Sequence, residues 1–265
     1  MTILAFFLAG LFIANPASAA SKLDGTWKAD IKATKFDERP EFLLLKDGIY
    51  ECLACTPPIR LPADGKPHPT PDRDYADAMS VTVVDDRTMR VASLKADKMY
   101  AEYTRTLSDD GNIMTTVMRS SNNATGEWKT STSQLRRVGP APAGAYAQSG
   151  YWSPVVTEAT KPAGDGIVIT LRVRESSLEL RDNEGATYIA PFSGSSVPVI
   201  GDASGGTVAI RSLSPVSFEE TNYIKGKVTA INTYILTDPM TLTISSRNVR
   251  SGYTDTYVLR RQPRR

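Results

Sequence analysis

The 265-residue chain carries 31 Lys and Arg against 29 Asp and Glu, a formal charge of +2, so no field of one sign points to DNA, RNA or an anionic membrane. With 41% hydrophobic and 23% charged residues it has the composition of a folded chain able to bury a core, which excludes disordered and collagen-like classes. Its single histidine, His68, excludes a multi-histidine metal site and leaves one candidate for a histidine-based triad.

The chain opens on an uncharged apolar run, Ile3 to Ala14, too short for the roughly 20 residues of a spanning helix. Pro16 and Ala17-Ser18-Ala19 follow it, the small-residue pattern of a cleavage site. These features predict a signal peptide over residues 1–19, export to the periplasm or beyond, and no transmembrane segment after cleavage.

Beyond the leader the signals are those of strands. Met79–Val84, Thr88–Leu94, Lys98–Leu107 and Asn112–Arg119 are rich in Val, Thr, Tyr and Met and are divided by Asp- and Gly-bearing turns. Ile167–Val173, Ser177–Leu180, Thr207–Leu213, Val216–Tyr223, Lys227–Leu236 and Met240–Ser245 repeat the rhythm, and no window sustains a 3.6-residue period. The carboxylate pairs Asp85-Asp86, Asp109-Asp110 and Glu219-Glu220 fall mostly at turns, where Asp is favoured, and acid-base work would need them opposed across a cleft.

Cys52 and Cys55 are three residues apart, and in an exported chain they predict a disulfide staple rather than a redox or zinc motif. The bridge requires a turn at Leu53-Ala54, because residues i and i+3 of an extended strand point to opposite faces. His68 falls in a proline-dense stretch over residues 56–71, which reads as a solvent-facing loop. No phosphate-binding loop, metal-ligand spacing or nucleophile motif is found.

Self-similarity then organises the whole. Gly25-Thr26-Trp27 and Gly150-Tyr151-Trp152 place two G-x-W motifs about 125 residues apart, and Leu135-Arg136-Arg137 and Leu259-Arg260-Arg261 close each copy. Two domains are expected at 22–138 and 150–262, joined by a semi-rigid Pro/Ala/Gly linker at 139–149.

An early G-x-W, a run of antiparallel strands and an Arg on the last strand resemble the lipocalin-like barrels. The resemblance implies an all-β chain of two tandem antiparallel up-and-down barrels, about eight strands each. It also implies that each Trp seals a barrel end beneath an Arg: Trp27 under Arg136 or Arg137, and Trp152 under Arg260 or Arg261. A guanidinium over an indole is attracted by the ring quadrupole while its stem covers apolar surface. The mature chain further resembles a group of exported bacterial proteins with two such units, through the segment YECLACTPPI (Tyr50 to Ile59) and Ala63-Asp64-Gly65-Lys66. Departing from the pattern, the second copy has no cysteine pair, and Asp110-Gly111 becomes Asp238-Pro239.

Inward-facing residues decide whether such a barrel is filled or hollow. One face of the matching strands carries Met99, Ala101, Tyr103, Arg105 and Leu107, then Val228, Ala230, Asn232, Tyr234 and Leu236. If it faces inward, Tyr103, Arg105, Asn232 and Tyr234 are candidate ligand contacts, and Arg105 needs an anionic partner. A one-residue slip would instead turn Tyr100, Glu102, Thr104 and Thr106 inward. The expected function is non-catalytic binding of a small apolar or amphipathic molecule, with no cofactor, metal or nucleic acid. The alternative is an interaction or scaffold module with filled cores that docks an envelope protein, using the 56–71 loop.

Overall fold

The computed structural model describes residues 21–263 except Thr56, Asp72, Asp74, Tyr75, Asp165 and Ala203, so the expected leader lies outside the described residues. These residues form strands and no helix. In the first half they are β1 Gly25–Ala29, β2 Glu41–Lys46, β3 Ile49–Cys52, β4 Ile59–Pro62, β5 His68–Pro69, β6 Ala78–Asp85, β7 Thr88–Lys95, β8 Lys98–Leu107, β9 Ile113–Ser120 and β10 Lys129–Arg137. The second half contributes β11 Gly150–Val155, β12 Val168–Val173, β13 Ser177–Asp182, β14 Thr187–Pro191, β15 Val197–Pro198, β16 Thr207–Ser214, β17 Ser217–Ile224, β18 Lys227–Asp238, β19 Thr241–Asn248 and β20 Thr254–Arg261.

Local chemistry sets the hairpins. Asp47-Gly48, Ala96-Asp97 and Lys225-Gly226 hold both central residues at positive φ, the two-residue turn whose twist matches that of its strands. Ala96, at φ 48°, has no preference for that region, and its N–H is held by Asp77 Oδ2 at 2.7 Å. Cys52 and Cys55 are disulfide-bonded across the turn between β3 and β4. The proline-dense stretch expected as a loop contains β4 and β5, and His68 pairs with Met79 there while its Nε2 lies 2.8 Å from Asp64 Oδ1.

The strands close into two antiparallel barrel-like sheets of ten. One runs β4-β3-β2-β11-β10-β9-β8-β7-β6-β5, the other β14-β13-β12-β1-β20-β19-β18-β17-β16-β15. Backbone bridges draw their edges together, Asp64–Thr82 in the first and Thr187–Ile200 and Ser193–Arg211 in the second. The two G-x-W strands have therefore changed places. Strand β11 completes the first barrel between β10 and β2, while β1 completes the second between β20 and β12. Barrel membership departs from the expected halves: the first barrel is the continuous stretch from β2 to β11, and the second gathers both ends of the chain.

Two crossing segments tie the barrels together. Residues 30–40 leave the second barrel pinned by the Lys35–Thr256 bridge, by Asp37 N–H on Asp255 Oδ1 at 2.9 Å and by Thr254 N–H on Asp37 Oδ2 at 2.9 Å. After β11 the chain crosses back, pinned by the Thr132–Lys161 bridge. The segment expected as a linker is part of the first barrel. Tyr146 N–H bonds Leu45 O at 2.8 Å, and the completely buried Gln148 donates through Nε2 to Arg105 O at 2.8 Å.

Candidate functional site

The exchange of strands re-pairs the barrel seals. Arg137 lies 4.2 Å from the Trp152 ring and Arg261 4.1 Å from the Trp27 ring, so each Trp takes its Arg from the opposite half, correcting the expected pairing within halves. The second arginine of each pair does this work, and Arg136 and Arg260 are exposed. The two seals are alike in detail. Arg137 donates to the carbonyls of Gly111, Ser149 and Ala147, and Arg261 to those of Pro239, Asp24 and Lys22. Each indole N–H bonds the carbonyl four residues back, Trp27 to Leu23 and Trp152 to Gln148. The motif glycines make room: a Cβ on Gly25 would lie 2.7 Å from Arg261 Nη1, and one on Gly150 2.9 Å from Arg137 Nη1.

Side chains two apart on a strand share a face, so Phe218, Glu220 and Asn222 of β17 point with Tyr234 and Asn232 of β18 into the second barrel. The register sets Phe218 opposite Tyr234 and Glu220 opposite Asn232, and the rings of Phe218 and Tyr234 stack at 4.2 Å. Glu220 is 5% exposed. Its Oε1 accepts Asn222 Nδ2 and Asn232 Nδ2, each at 2.8 Å, while Oε2 accepts the hydroxyls of Tyr234, at 3.2 Å, and of Tyr188. Burial first, then the neighbouring carboxylate, pushes the Tyr188 and Tyr234 hydroxyls well above the ordinary tyrosine range, so both stay protonated donors at any physiological pH. Asn232 Oδ1 is buried in the same cluster with no hydrogen-bond partner.

Glu220, Tyr188, Tyr234 and Asn222 border a cavity of about 830 Å³ in the second barrel. Its apolar walls include Ile169, Leu180 and Val199, and its rim draws Met118, Ser120 and Lys129 from β9 and β10 of the first barrel, on the same face as Ala101 and Tyr103. At that rim Lys129 pairs with Glu184 across the two barrels at 2.8 Å. The 121–128 loop between β9 and β10 docks beside it, Ala124 N–H bonding Glu184 O at 3.0 Å. A Cβ on Gly185 would meet Ala124 Cβ at 2.6 Å, so the glycine is what admits this close approach.

The candidate contacts thus separate into two groups. Asn232 and Tyr234 belong to the Glu220 cluster. Tyr103 and Arg105 lie inside the first barrel, with Arg105 4.9 Å from the Tyr103 ring and the Tyr103 hydroxyl 3.5 Å from that of Tyr50. Arg105 Nε has no hydrogen-bond partner among the described residues; the arginine rests on the Tyr103 face, bonds the Tyr50 hydroxyl and feels the Glu41 carboxylate, the anion its burial was expected to need. In that barrel the positions opposed like Glu220 and Asn232 hold Val91 and Tyr103. The face carrying Ala101, Tyr103, Arg105 and Leu107 does look inward. A bulge opposite Ser93 and Leu94 shifts the start of β8, leaving Met99 exposed and packing Tyr100 on the core.

Glu220 and Tyr188 were missed. Glu219 and Glu220 lie within the expected strand Val216–Tyr223, and the spacing of two between Phe218 and Glu220 is the signal that would have turned Glu220 inward. Among the described residues no three His, Cys, Asp or Glu gather closely enough to hold a metal ion, and no helix is long and apolar enough to cross a membrane.

No family model and no curated protein matches the chain. Among solved structures it is similar to a double mutant of the vaccine antigen transferrin binding protein B from Haemophilus parasuis. That likeness has 8% identity and a TM-score of 0.18, over 94% of this chain and 79% of that one.

Proposed function

We propose that this chain is an exported, non-catalytic binding protein that holds a small apolar or amphipathic molecule in its second barrel. The observation that carries the reading is the 830 Å³ cavity, within the range that encloses drug-sized ligands, with apolar walls and a few converging polar groups. The Cys52–Cys55 bridge supports an oxidising compartment, in keeping with the leader. The two barrels divide the labour. The first supports, its interior holding the completely buried Tyr50, Met89, Met114 and Trp152, and its 121–128 loop and β9–β10 face form part of the rim. Native mass spectrometry of the chain isolated without denaturation from its source organism tests the proposal. A reproducible adduct lost on denaturation is expected. A bare mass, together with no uptake from a panel of apolar and amphipathic probes, would transfer the reading to a scaffold or envelope-protein module.

A further inference from the structure

The chemistry lining the second barrel specifies more than an apolar guest. Every group donating to Glu220 is uncharged: two amides and two phenols. They spread its negative charge without cancelling it, and a buried anion with no counter-cation keeps a large part of its desolvation cost. Asn232 Oδ1, in the same cluster but not on the cavity wall, has no hydrogen-bond partner among the described residues. Tyr188, Tyr234 and Tyr257 face the same cavity, and aromatic faces attract cations. Among the described residues the charged side chains lining it are Lys28, Lys129, Asp182, Glu184 and Glu220, an excess of one negative charge, with Lys129 already engaged by Glu184. The apolar walls are left to take a hydrocarbon body.

We propose that the second barrel selects amphiphiles with a positively charged, hydrogen-donating head, an alkyl- or arylammonium, seated against Glu220; this rests on the carrier reading above. The ammonium supplies the counter-charge that Glu220 lacks, while its chain occupies the volume bounded by Ile169, Leu180 and Val199. The first barrel has Val91 where the second has Glu220, so it offers no carboxylate at that position.

Calorimetric titration of the purified chain with decylamine, decanol and decanoate, matched in chain length and used below their aggregation concentrations, tests the head-group assignment. Decylamine is expected to bind one per chain, at least tenfold tighter than decanol, with decanoate weakest. E220Q is expected to bring decylamine down to the affinity of decanol. The ranking in the unmodified chain is decisive by itself, so the test survives a variant that fails to fold. Equal affinities for decylamine and decanol, or decanoate binding tightest, would overturn the cationic assignment and leave the carrier reading standing. Failure of all three to bind would overturn both.

Discussion

Arg261, on the last strand of the chain, lies 4.1 Å from the indole of Trp27, on the first. One side chain thereby seals a barrel end, satisfies three carbonyls and fastens the segment before β1 to β20. Arg261→Ala removes the cation–π contact and the charge-assisted hydrogen bonds together, and a loss of about 2–4 kcal/mol is expected. Gly25→Ala, which forces a side chain against the guanidinium at φ +141°, is expected to cost about 1–3 kcal/mol. Denaturant melts followed by tryptophan fluorescence check both, and a loss below about 0.5 kcal/mol in each would remove the seal from the account of stability.

The exchanged strands redefine the unit that folds alone. A fragment spanning residues 38–156 contains every strand of the first barrel, whereas 22–138 lacks β11 and carries β1 without its partners. The first fragment is expected to melt cooperatively and the second to stay unfolded. A fragment of 156–263 is expected to fold only when a peptide covering residues 21–38 is added. Circular dichroism and dispersed amide spectra decide, and a cooperative 22–138 beside an unfolded 38–156 would contradict the topology.

Asp37 gives the crossing segment a dependence on pH. Its carboxyl is held well below the usual carboxylate range, mainly by the Arg39 side chain, with burial opposing and the Thr254 and Arg39 backbone N–H groups adding to the effect. A carboxyl depressed in the folded state stabilises above its unfolded value, near pH 4, and that stability is lost as pH falls through and below it. Asp37→Asn is therefore expected to lower Tm at pH 7 and to lose that difference progressively between pH 5 and pH 2. A Tm gap that stays constant across this window would show that Asp37 does not act through its charge.

The Cys52–Cys55 bridge closes a very small loop, for which chain entropy allows only about 2 kcal/mol or less. Neither cysteine lines the cavity. The Cys52→Ala, Cys55→Ala double variant is expected to lower stability by about 1–2 kcal/mol and to leave ligand affinity in the second barrel unchanged. A parallel loss of affinity would mean that the turn between β3 and β4 communicates with the site.

Gly185 allows the 121–128 loop to reach the rim. Gly185→Ala, at φ +92° and with its Cβ 2.6 Å from that of Ala124, is expected to displace the loop and speed ligand release. Stopped-flow displacement of a bound probe measures this, and an unchanged release rate would exclude the loop as a barrier.

What could be read from the chain alone is what strands and turns encode locally. Alternation, β-branched residues and Asp/Gly clusters located β6 to β9 and most of the second copy, because those signals lie within a few residues of each other. The doubled G-x-W and Leu-Arg-Arg marked the seal residues, and the spacing of Cys52 and Cys55 anticipated the bridge. β4 and β5 were hidden, because prolines on short strands look like loop.

Which tryptophan meets which arginine was beyond that reading, since two equivalent motifs offer the same contacts in either pairing. The tertiary structure chose through long-range pairing: β11 turns back beside β10 and pairs with β2, and β1 completes the second barrel between β12 and β20. The buried charge was likewise undecided. Glu220 is an ordinary strand carboxylate until register, closure and Tyr188 arriving from β14 enclose it, and only that enclosure turns a surface residue type into the polar floor of a cavity.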